Sequence, residues 1–78
     1  MSAKTEKPWQ GVVWKTSEGE VLSCVEKLKV LHDNFREIEQ LCQDAFEDAL
    51  LMGCDERQIR EALGRVIAQL RNPYQTPD

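Results

Sequence analysis

The sequence predicts an all-α protein: an antiparallel helical hairpin with a long helix at about 18–52 and a shorter one at about 56–71. Three features carry that reading. Apolar residues recur at alternating steps of three and four, no Gly or Pro interrupts residues 20 to 52, and Gly53 stands where the first periodic run ends.

The start of the first helix is signalled by Ser17-Glu18-Gly19-Glu20, a Ser with Glu three residues on. That spacing fits a capping box, in which each side chain satisfies an orphan backbone N–H of the other residue. Leu28, Leu31, Phe35, Ile38, Cys42, Ala45, Ala49 and Met52 then form the apolar stripe, and Val21 and Val25 extend it backwards. Leu22, Leu41, Phe46 and Leu50 widen it, as in a helix buried in a bundle. Gly53 supplies the left-handed residue that commonly follows a helix C-cap. Asp55 opens the second helix with Gln58 as its capping-box partner, and Ile59, Ala62, Leu63, Val66, Ile67 and Leu70 make its apolar face. Asn72-Pro73 ends it, since the residue before Pro resists the helical region. A second reading of the start stays open. Val12 to Thr16 and Glu20 to Ser23 flank Ser17-Glu18-Gly19, which also suits a hairpin turn.

At 1.5 Å per residue the two helices differ about twofold in length, roughly 50 Å against 25 Å. Helix two therefore covers only the later half of helix one, and Val21, Leu22, Val25, Leu28 and Leu31 are left facing water. Three arrangements would close that stripe. Two chains can associate into a bundle, which makes a homodimer the favoured expectation. The chain can instead break at 32–34 and fold as a monomeric three-helix bundle. Or the N-terminal segment, with Trp9, Val12, Val13 and Trp14, can fold back over the stripe.

The expected organisation is an N-terminal tail with two Trp at 1–16, a helical domain at 17–72 and a C-terminal tail at 73–78. Charge follows these divisions. Residues 1–16 have three lysines against one acid, 17–55 have ten acids against three bases, and 56–78 have four arginines against three acids. The total is −4 with a pI near 4.9, which weighs against a general nucleic-acid or anionic-membrane binder. A chain of 78 residues and 9.0 kDa supports one small domain, with a marginal core. No run approaches the roughly 20 apolar residues of a membrane span, and no apolar segment follows the lysines at the start. Cys24, Cys42 and Cys54 are odd in number and lack a CxxC pair, the pattern of reduced thiols. The expected location is cytoplasmic, with no membrane association.

Catalytic chemistry finds little to stand on. His32 and the three cysteines have no zinc-site spacing, and Lys29 occupies the position where a di-iron Glu-x-x-His pattern needs Glu. Asp44, Glu47 and Asp48 share a helix face and are read as solvated carboxylates, or as mates of Arg57, Arg60 and Arg65 across the hairpin. Ser23 and His32 lie on one helix out of mutual reach, and no Gly-rich phosphate loop is present. The expectation is a protein without enzymatic activity, metal or cofactor.

One local motif is more specific. In Asp48–Ala62, the small Ala49, the turn residue Gly53 and the branched Ile59 stand four and six apart, with Met52, Cys54 and Ala62 at packing positions. This stretch resembles a helix-turn-helix. The resemblance implies a recognition helix at 56–70 with Arg57, Gln58 and Arg60 near base edges. It covers a short stretch, Asp48 stands where an apolar residue is usual, and the acidic first helix repels phosphates.

The preferred function is therefore protein–protein interaction, as a small accessory, adaptor or regulatory subunit. Its expected partner surface is Trp9, Val12, Trp14, Val21, Val25, Leu28 and Leu31, because tryptophans and exposed apolar stripes anchor interfaces. The competing use of the tryptophans is to dock on this chain's own helix. A DNA-binding regulator built on the Gly53 turn is the alternative function.

Overall fold

The computed structural model describes residues 7–74 and contains two α-helices, α1 (Val25–Leu51) and α2 (Glu56–Ala68). The chain divides into two compact units, Met1–Glu39 and Gln40–Asp78. Among the described residues β structure amounts to one isolated antiparallel bridge, Lys15 to Val21. The all-helical class and the helical hairpin follow the sequence. The three-helix alternative does not, because α1 runs unbroken through 32–34.

The start of α1 corrects the sequence reading. Ser17 and Glu20 form no capping box, and the helix begins at Val25 rather than near 18. Thr16 takes over instead: its Oγ1 accepts from the Glu20 N–H at 3.2 Å. Its own N–H donates to Glu20 O at 2.7 Å, and its carbonyl accepts from Gly19 at 2.9 Å. Gly19 has φ +88°, a left-handed residue that a helix interior does not accommodate and a three-residue hairpin loop requires. Val21 then pairs with Lys15, and the Leu22 N–H donates to the Trp14 carbonyl at 2.8 Å. The competing hairpin-turn reading is the one this segment adopts, short of a full ladder.

Within the first unit the N-terminal segment lies on α1. Residues 7–12 turn tightly, with Gln10 N–H to Lys7 O at 3.0 Å and Lys7 N–H to Gln10 Oε1 at 2.7 Å. That turn presents Trp9, which is only 8% exposed. Its ring centroid stands 5.8 Å from that of Phe35, and Trp14 approaches the same ring at 5.5 Å. Lys7 Nζ meets Glu39 Oε1 at 3.0 Å.

The second unit is the later part of α1 with α2. The first helix ends in a Schellman motif: Gly53 N–H bonds Leu50 O and Cys54 N–H bonds Ala49 O, both at 3.0 Å. Gly53 carries the left-handed φ of +91° that this motif needs. Asp55 caps α2, its Oδ2 accepting from the Gln58 N–H at 3.0 Å. The half-buried Cys42 and Phe46 and the buried Ala49 mark one row of α1, and the half-buried Ile59 and Leu63 one row of α2, each at the helical spacing expected. The Arg60 guanidinium sits 4.7 Å over the Phe46 ring, a cation–π contact. The other end of α2 comes earlier than the expected 71. The Leu70 N–H reaches back to Ile67 O at 3.3 Å, a tightened last turn, and Asn72 Oδ1 accepts from the Tyr74 N–H at 2.9 Å around Pro73.

The glycines give a paired prediction. Gly53→Ala meets no steric obstacle, so its cost is the left-handed backbone alone: about 1 kcal/mol or more of lost stability. Gly64 sits inside α2 with ordinary helical backbone and open space. Gly64→Ala should stabilise by about 0.5–1 kcal/mol. Urea unfolding of the two variants checks both signs, and equal midpoints contradict this account of the turn.

Candidate functional site

Among the described residues no group of three or more His, Cys, Asp or Glu side chains is placed to hold a metal ion. Among the described residues three ion pairs are local and exposed, Lys29 and Arg36 with Asp33 and Arg60 with Glu56, while a fourth, Lys7 with Glu39, ties the N-terminal segment to α1. The acidic face of α1 bonds along its own helix, Asp44 accepting from Gln40 at 2.9 Å and Glu47 from Gln43 at 2.8 Å. Of the two readings of those carboxylates the structure shows the solvated face: all three are exposed, and no pairing with the arginines of α2 is formed among the described residues. Two titrations are displaced. Lys29 beside Asp33, at 2.8 Å, holds that carboxyl below its ordinary value. Cys24 immediately precedes α1, where the Lys27 backbone N–H lowers its thiol against the opposing effect of burial, with Glu26 and the Lys27 charge adding to the lowering.

What remains is surface, and it differs between the two units. In the first, the residues named as partner-binding separate into two groups. Trp9 is buried and Trp14 half-buried, both against Phe35, and Leu28 and Leu31 are half-buried. The Trp14 Nε1–H is buried without an acceptor among the described residues, so ring contact rather than hydrogen bonding holds this indole. Val12, Val21 and Val25 stay exposed. Val25 and Leu28 form the apolar floor of a shallow open depression on α1 whose polar members are Lys29, His32, Asp33 and Arg36.

In the second unit Ala49 is the one residue counted as buried among those described. Leu41, Leu51, Met52, Val66, Ile67 and Leu70 are all more than half exposed. The sequence reading placed most of these in helix contacts, because periodicity reports which face is apolar and not whether a neighbour is there to cover it. Of the helix-turn-helix candidates, Arg57 and Gln58 are exposed at the start of α2, while Arg60 pairs with Glu56 at 3.0 Å and caps the Phe46 ring.

Both displaced groups have testable consequences. In a Cys42→Ser, Cys54→Ser background, Cys24 alkylation by iodoacetamide should titrate at lower pH in the folded chain than in the urea-unfolded one; equal midpoints contradict the helix-terminus contact. Asp33, lowered in the folded state, contributes stability that is present above the ordinary carboxylate range and disappears as pH falls through its folded value. Lys29→Met should therefore lower the melting temperature slightly at neutral pH and leave it unchanged once Asp33 is protonated.

Compared with protein-family models, with curated proteins and with solved structures, the chain finds no match.

Proposed function

We propose that this protein is a small non-catalytic interaction module, an accessory, adaptor or regulatory subunit, that works as a homodimer in the cytoplasm. One observation carries the reading: the helical hairpin of the second unit buries a single described residue and leaves six large apolar ones more than half exposed. Two helices bury too little to stand alone. Full burial of a Leu or Val side chain is worth about 1.5–3 kcal/mol, and a hairpin that forgoes it at six positions gives up much of what a small domain has to spend against chain entropy. Exposed apolar surface on that scale belongs to interfaces.

The cytoplasmic placement rests on the three free cysteines, Cys24 and Cys54 being exposed. Among the described residues no helix is long and apolar enough to cross a membrane. The DNA-binding alternative keeps the Gly53 turn and the exposed Arg57. It must reconcile them with Arg60 already paired to Glu56 and with a net charge of −4.

Sedimentation equilibrium at micromolar concentration tests the proposal. A mass near 18 kDa, twice the 9.0 kDa of the chain, is the expected result, and 9 kDa across the concentration range removes the homodimer. On a duplex-DNA column at low salt the protein should flow through; retention that is lost as salt rises would transfer the function to the helix-turn-helix reading.

A further inference from the structure

We infer that the occupant of the exposed hairpin face is a second copy of the hairpin, with α1 of each chain lying antiparallel against α2 of the other. This inference rests on the interaction-module reading and specifies its surface. Positions along a helix advance by about 100° per residue. Measured from the row that faces α2, Leu41, Ala45 and Met52 stand about a quarter-turn to one side of α1. Measured from Ile59 and Leu63, Ala62 and Val66 are offset in the same rotational sense on α2. Because the hairpin reverses the chain direction, equal senses of rotation place both rows on one side of the helix pair. The result is a continuous apolar face across two helices, with Leu41 71% and Val66 62% exposed.

Charge selects the occupant. On the flank towards this face α1 places Asp44 and Asp48 and no base, and α2 places Arg65, whereas Glu47, Arg57 and Arg60 rotate to the opposite flank. A face bordered by an acidic helix on one edge and a basic-leaning helix on the other is self-complementary under a twofold axis parallel to the helices. That axis lays the acidic helix of each copy along the arginine helix of the other. A uniformly acidic or basic partner would match only one edge. With Arg60 over Phe46 setting the register of the hairpin, Asp44 falls level with residue 62, and Arg65 stands about 4.5 Å further along the axis, within the reach of an arginine side chain that leans back towards its helix N-terminus. Asp44 and Arg65 are both exposed, and neither is in an ion pair among the described residues. The twofold sets Asp44 of each copy on the same flank as Arg65 of the other, about one helical turn away along the axis.

Sedimentation equilibrium of full-length variants, with far-UV circular dichroism to follow helix content, tests this. Val66→Glu and Leu41→Glu should shift the mass from near 18 kDa to near 9 kDa at concentrations where the unsubstituted chain, of 9.0 kDa, is dimeric. Asp44→Arg and Arg65→Asp should each weaken association by about tenfold, since a twofold counts each lost pair twice. The double exchange, Asp44→Arg with Arg65→Asp, should restore association to within about threefold of the original. That rescue separates a contact between copies from mere loss of folding. A dimer indifferent to Leu41→Glu, Val66→Glu and the charge exchange overturns this face while leaving the homodimer in place. An unsubstituted chain that stays monomeric overturns the homodimer itself.

Discussion

The length mismatch between the two helices governs this protein. α1 has 27 residues and α2 has 13, so no hairpin alone can cover the apolar stripe of α1. The chain meets that constraint with a different covering in each unit. In Met1–Glu39 it is an irregular segment carrying two tryptophans; in Gln40–Asp78 it is a second helix.

The two coverings work by different physics. Phe35 is the contact point of the first, in ring contact with both Trp9 and Trp14. Aromatic pairs at such distances contribute about 0.5–1.5 kcal/mol each beyond the area they bury. One phenylalanine therefore secures a segment that has only an isolated bridge and a few turn hydrogen bonds of its own. The second covering depends on chain reversal: the Schellman turn at Gly53 and the Asp55 cap bring α2 back along α1, with Arg60 over Phe46 and little side-chain burial. Economy in that hairpin leaves the apolar face on which the functional proposal stands. The same Trp–Phe35 contacts take two aromatic anchors away from the free surface of the first unit.

Local chemistry explains which parts of the fold were legible. Gly53, Asp55 and the Gln58 spacing are turn and cap signals whose partners lie within a few residues; the structure realises the Gly53 turn and the Asp55 cap, and of the capping box it forms the half in which Asp55 accepts from the Gln58 N–H. The periodic run from Leu28 to Met52 predicts the body of α1 for the same reason, while its extension back to Val21 overshoots the observed start at Val25. Ser17 and Glu20 failed because two local patterns overlap there. A capping box and a hairpin loop both fit Ser17-Glu18-Gly19-Glu20, and the deciding terms are Gly19 in the left-handed region and the pairing of Val21 with Lys15. The docking of the tryptophans was visible only as one of two uses, since Phe35 lies some twenty residues beyond Trp14 and nothing local links them. Leu41 and Val66 were recognised as apolar but not as surface. Exposure is set by how many elements surround a helix, and the sequence pattern is the same whether the neighbour belongs to this chain or to another.

Backbone hydrogen exchange on the full chain, compared between the unsubstituted protein and Phe35→Ala, tests most directly the claim that α1 is held by two separate coverings. Protection of the amides between Leu28 and Phe35, which depend on the tryptophan segment, should fall by about tenfold or more. Protection between Cys42 and Leu50, which face α2, should stay within about threefold of its original value. A uniform loss along the whole helix, or no loss around residue 35, would contradict the account.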